Sequence, residues 1–123
     1  MNVIDTAIWI YSHDTRDPQK QLAAQNLIAT LRPVSLPWQV GCEFIAASRK
    51  LAAQGFDEAK AWAALADMEA MANSVLLPVP QHWQETRRIQ TAYLLSFWDA
   101  LLVAVCIQSQ ISTLTLRIWA RHA

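Results

Sequence analysis

Val3-Ile4-Asp5-Thr6-Ala7-Ile8-Trp9-Ile10-Tyr11 is the stretch on which the fold turns. It starts as a short buried strand, reaches an acid at Asp5 and continues apolar. Ser12 to Pro18 is polar, with two Asp and a Pro, and reads as a loop. Asp17-Pro18 then supplies an N-cap followed by proline at the first helical position. The helix it opens runs to about Arg32, with Leu22, Ala23, Leu27, Ile28 and Leu31 on its apolar side, and Pro33 ends it.

Outward from there, Val34 to Pro37 is a second short strand. A helix from about Trp38 to Gln54 is closed by Gly55, and an Ala-rich one runs from Phe56 or Asp57 to about Asn73. Val75 to Val79 is a third strand, stopped by Pro80. Gln81 to Leu94 is helical, Ser96 caps an apolar helix from Phe97 to about Ser109, and Ile111 to Leu116 is a fourth β-rich run. This alternation predicts an α/β fold: a central, mostly parallel four-stranded sheet flanked by helices on both faces. Right-handed crossovers bring the carboxyl ends of the strands and the starts of the following helices to one edge.

With 123 residues the chain is expected to form one domain over 1–123. Hydrophobic residues are 54%, enough for a filled core, whereas charged residues are only 16%, so much of the surface must be neutral or covered by a partner. Six Trp point the same way. Lys+Arg and Asp+Glu are 10 each, so nucleic-acid binding would need a local basic patch. Cys42 and Cys106 sit in apolar helical patterns and read as buried thiols of a reducing compartment. No targeting or membrane-spanning segment is legible, and a cytoplasmic protein is expected.

Three carboxylates lie in apolar company. Asp5 follows Val3-Ile4, Glu43 sits in Val40-Gly41-Cys42-Glu43-Phe44-Ile45, and Asp99 sits in Phe97-Trp98-Asp99-Ala100-Leu101-Leu102. Ionised carboxylates in such places are costly unless paired or metal-bound. All three fall at the ligand-binding edge of the predicted sheet. Oxygen ligands without thiolate or imidazole suit Mg²⁺ or Mn²⁺ and argue against zinc. Singly, each acid also has a plain structural reading: a turn for Asp5, helix-dipole complement for Glu43, a capping box with Ser96 for Asp99.

Val3-Ile4-Asp5-Thr6, Glu43-Phe44 and Ser96-Phe97-Trp98-Asp99-Ala100-Leu101-Leu102-Val103-Ala104 resemble the PIN-domain family, and within it the VapC-type toxins of bacterial toxin–antitoxin pairs. The resemblance covers nearly the whole chain. It implies a Mg²⁺- or Mn²⁺-dependent endoribonuclease with a four-carboxylate site, a cognate antitoxin and a homodimer. Asp5, Glu43 and Asp99 match the first three acids, Thr6 the hydroxyl that often follows the first, and Ser96 the serine that often precedes the third. Ala7 stands where the family often has Asn or Ser. The family's fourth acid follows the last strand, yet no Asp or Glu occurs after Asp99. The resemblance stops after Leu114, and the tail reads as a truncated or frame-altered ending. Were the Arg117 codon to end in G, a shifted frame across Arg117-Ile118 would read GAT, an Asp. The missing acid favours an alternative, a catalytically impaired PIN-like protein that survives as a binding partner.

Arg16, in the loop after the first strand with His13, Asp14 and Asp17, and the pairs Arg49-Lys50 and Arg87-Arg88 are the candidates for RNA phosphate contacts, against the plainer reading of solvated loops and faces. Trp62, Met68 and Met71, spaced near one stripe, with Trp9, Trp38 and Trp83, read either as core or as a groove for an antitoxin's amphipathic segment.

Overall fold

Side-chain caps start three of the helices where the sequence places them. In the computed structural model, which describes residues 1–111 and 113–115, Asp17 accepts from the Lys20 amide at 3.1 Å to open α2 (Pro18–Thr30). Asp57 accepts from Lys60 at 2.9 Å to open α4 (Glu58–Met71). Ser96 Oγ accepts from Asp99 at 3.2 Å to open α6 (Phe97–Gln108). Each cap satisfies an amide that the first turn leaves without an intrahelical partner.

The helix expected over Trp38–Gln54 is two segments, α3 (Trp38–Ala47) and a 3-10 stretch (Ser48–Gln54). Gly55 ends it at φ +86°, a conformation that a side chain makes costly. Between α4 and α6 lies α5 (His82–Tyr93), which packs on α6 through Ile89, Ala100 and Ala104.

Four short strands are all parallel where they pair. β1 (Asn2–Ile4) pairs with β4 (Thr113–Thr115), in the register Asn2 with Thr113 to Ile4 with Thr115. β2 (Leu36–Pro37) pairs with β3 (Val75–Leu76). Among the described residues one isolated bridge, between Asn2 and Val34, sets the β2–β3 pair beside β1. The expected four-stranded sheet is thus shown only in part, as two two-stranded ladders and a seam. Pro33 and Pro37 flank that seam, and neither offers an amide to lengthen it.

Val3, Ile4, Val40, Phe44, Leu51 and Leu102 are essentially inaccessible and form the centre of the core. Burial of each contributes about 2 kcal/mol. Gly41 lets α4 lie close to α3, since a Cβ there would stand 3.2 Å from Leu65 Cδ1.

Three sequence expectations change, and one stretch gains an element. The apolar run after Asp5 is a helix, α1 (Thr6–Tyr11), which Asp5 caps. β3 stops at Leu76, since Pro78 and Pro80 withhold amides from a ladder. Cys42 is exposed, on the outer side of α3, while Cys106 is buried and its thiol is pushed up to about 12 by desolvation. Trp62 does not share a stripe with Met68: Met68 is buried, and Trp62 faces an apolar groove with Trp38, Cys42, Ile45 and Leu65. The tail from Leu116 onward lies outside the described residues.

The low charge content has its counterpart on the surface, where Trp38, Trp62, Trp83, Tyr93, Leu94, Phe97 and Trp98 are all exposed. Among the described residues no single helix is long and apolar enough to cross a membrane.

Candidate functional site

The first acid is fixed by the junction of β1 and α1. Asp5 has extended backbone (φ −68°, ψ 156°), and its Oδ1 accepts from the Thr6 amide at 2.7 Å. Its own amide donates to the Thr115 carbonyl at 2.9 Å, which ties it to the end of β4. Thr6 is buried, and its hydroxyl has no hydrogen-bond partner among the described residues.

Glu43 is half-buried on α3, and Asp99 is half-buried in the first turn of α6. One residue connects them. Gln39, only 8% exposed, donates through Nε2 to Glu43 Oε1 at 3.0 Å and to the Trp98 carbonyl at 3.0 Å. The second acid is therefore oriented from one turn below on its own helix, and that turn is pinned to the peptide preceding Asp99. Gln39 Oε1 has no partner among the described residues. Sequence reading passed Gln39 over. Its signal was the four-residue spacing to Glu43, which puts the two side chains on one helix face.

Asp5, Thr6, Glu43 and Asp99 line one cleft of about 530 Å³, together with Asp14, Arg16 and Lys50. The structure thus brings the three predicted acids and Thr6 to a common space. Ser96 stands just outside it, holding the Asp99 amide. Arg16 reaches the cleft, whereas Arg87 and Arg88 do not: they line a separate shallow surface on α5 with Gln84, and Arg88 is ion-paired to Glu85.

In chemical type the donors suit a hard divalent cation, being oxygen only, with no Cys or His among the described residues of the cleft. In spacing, no three His, Cys, Asp or Glu side chains among the described residues gather closely enough to hold one ion between them. Mg²⁺ takes one or two carboxylates directly and keeps several waters, so acids arranged around a cleft still fit it.

At the other end, Asp14 accepts from the Arg16 amide and Nε, each at 3.0 Å, from Arg16 Nη2 at 2.8 Å and from Gln54 Nε2 at 2.9 Å. The Arg16 guanidinium holds the Asp14 carboxyl well below the usual carboxylate range. Behind it His13 stacks on Phe56, with ring centroids 4.7 Å apart, and desolvation lowers its pKa.

Comparison with known proteins agrees with this architecture. The sequence matches the family model for the PIN domain over residues 3–116. No curated protein matches it in sequence. Among solved structures, VapC20 of Mycobacterium tuberculosis, described as a sarcin-ricin loop cleaving toxin, superposes with a TM-score of 0.73 at 18% identity, covering 93% of this chain and 87% of that one. VapBC2 from Rickettsia felis, solved bound to a DNA fragment from its promoter, superposes with a TM-score of 0.67 at 12% identity, covering 98% and 91%.

Proposed function

This chain belongs to the PIN-domain family, and from that premise we propose that it is a metal-dependent endoribonuclease of the VapC toxin type, cutting RNA in the cleft lined by Asp5, Glu43 and Asp99. The observation that carries this reading is the meeting of those three acids in one cleft. They are distant in sequence, on three different elements, and each is set in apolar surroundings.

In this reading the residues that would hold Mg²⁺ or Mn²⁺ are Asp5 at the start of α1, Glu43 on α3 and Asp99 at the start of α6, one or two of them directly and the rest through its waters. Bound there, the cation would supply an activated water and charge stabilisation for the phosphodiester. Gln39 keeps the Glu43 carboxylate turned to the cleft. Thr6 and Ser96 act beside the acids, Thr6 through a hydroxyl still able to donate and Ser96 by fixing the turn that carries Asp99. Acids alone would repel a phosphate backbone, so the cation also reverses the local sign.

An antitoxin partner and a homodimer belong to the same proposal. The groove of Trp38, Cys42, Ile45, Trp62 and Leu65 offers the apolar lining that an amphipathic segment requires. A cytoplasmic location goes with such a partnership.

A second reading, a catalytically impaired binding partner, has two observations in its favour: no acid follows Asp99, and no three acids among the described residues close on one ion. One experiment separates the two. The purified chain is incubated with total tRNA and rRNA fragments in Mg²⁺ or Mn²⁺, beside Asp5→Ala. Fragments formed only by the unaltered chain support the nuclease, and identical traces from both support the impaired partner.

A further inference from the structure

The cleft has two chemically opposite ends. The acids occupy one. At the other stand Arg16 and Lys50, with a hydrogen-bond network around Arg16. Gln54 sits at its centre. Its Oε1 accepts from the Thr15 amide at 2.7 Å and the Thr15 hydroxyl at 2.8 Å, while its Nε2 donates to Asp14. One amide side chain thereby fastens the Asp14–Arg16 loop to the 3-10 segment that also carries Lys50, four residues earlier.

Asp14 takes Nε and one Nη2 proton of Arg16, one edge of the guanidinium. A guanidinium has five N–H donors in a rigid fork, so three remain, and holding one edge fixes the direction of the others. The Arg16 side chain is 63% exposed, so this outer edge meets solvent. Because Asp14 balances the charge of Arg16, net attraction for an anion falls to Lys50, and direction falls to Arg16. That division suits a phosphate oxygen, which accepts bidentate donation from arginine and responds to lysine as a point charge. α1, six residues and so about 9 Å long at 1.5 Å per residue, lies in the chain between Asp5 and the loop that carries Arg16.

We infer that Arg16 and Lys50, with Asp14 and Gln54 as positioning residues, form a phosphate-binding subsite for a single RNA strand, engaging a backbone phosphate next to the scissile one. This rests on the nuclease reading for its ligand, but it is tested through binding. Fluorescence anisotropy with a labelled single-stranded RNA in Ca²⁺ or EDTA, without cleavage, gives affinity and its salt dependence. Circular dichroism melts confirm that each variant is folded.

Lys50→Ala should weaken binding about 5-fold and lower the slope of log affinity against log salt by about 0.7, the value for one single-strand phosphate contact. Arg16→Ala should weaken binding by a similar factor with a smaller change in slope. Gln54→Ala, which removes no charge, should weaken it 2- to 3-fold with the slope unchanged, and Lys60→Ala, on α4 away from the cleft, should match the unaltered protein. Arg16→Ala and Lys50→Ala that bind like Lys60→Ala, while the unaltered chain cleaves RNA, would overturn the subsite and leave the nuclease standing. Loss of binding in both, with no cleavage by the unaltered chain in any metal, would support the subsite and sink the nuclease. No measurable RNA binding by the unaltered chain would overturn the subsite.

Discussion

The two parts of α6 make different demands on one helix. Its first turn carries Asp99, half-exposed in the cleft, with Trp98 open to solvent beside it. Its body, from Ala100 to Cys106, carries five buried apolar side chains besides the buried Cys106, with Val103 half-buried among them. The first turn presents a carboxylate to the cleft, and the body stabilises the fold by removing apolar surface from water. Stability and function are therefore separable along a single element, with Ser96 as the joint: its cap both starts the helix and fixes the acid-bearing turn.

Changes to each part can break or sharpen that contrast. Asp99→Asn should have the largest effect, a loss of RNA cleavage of roughly 10³-fold, about 4 kcal/mol of transition-state stabilisation, with little change in Tm. A cleavage assay paired with a thermal melt checks it, and a large fall in Tm would show that the first turn is structural after all. Leu102→Ala, at a site 1% exposed, should cost about 3 kcal/mol in urea unfolding while the residual folded fraction keeps its RNA affinity. An effect smaller per pH unit enters at high pH. The Cys106 thiol is raised from 9.0 to about 12, so the folded chain holds a proton that the unfolded chain has released. The resulting stability is complete below pH 9 and falls by about 1.4 kcal/mol per unit as pH rises toward 12. Comparing unfolding curves of the unaltered chain and Cys106→Ala should show this alkaline slope in the former alone.

The elements most legible in the sequence were those with chemical punctuation. Asp17-Pro18, Asp57, Ser96 and Gly55 mark boundaries by satisfying backbone groups or by adopting a rare φ, and the helices begin or end there. α1 was illegible because Thr6 to Tyr11 has no polar face: Thr6, Trp9 and Ile10 are all buried, so helix and strand share one apolar pattern. Cys42 was misjudged for the converse reason. α3 runs between core and an apolar groove, and sequence does not tell which apolar side is covered.

At the cleft, the three acids could be found because carboxylates in apolar runs are conspicuous. Gln54 could not, since its partner Asp14 is 40 residues away, and of Gln39's two bonds only the one to Glu43 is local, the other spanning 59 residues to Trp98. Family resemblance supplied the order of the acids and the expectation of a metal. It had nothing to say about Lys50, whose place follows only from folding the 3-10 segment back along the cleft.

The pairing of β1 with β4 has a consequence for biosynthesis. Residue 113 is made more than a hundred steps after its partner, residue 2, so this ladder closes late in synthesis of the described residues. Until then β1, which leads into Asp5, has among the described residues the bridge from Asn2 to Val34 as its strand neighbour. α6, with Asp99, is also translated late. A partly made chain thus holds the first two acids without the third and without the neighbour that fixes the first. The three acids can therefore share one cleft only after the segment that carries Asp99 has been made and folded.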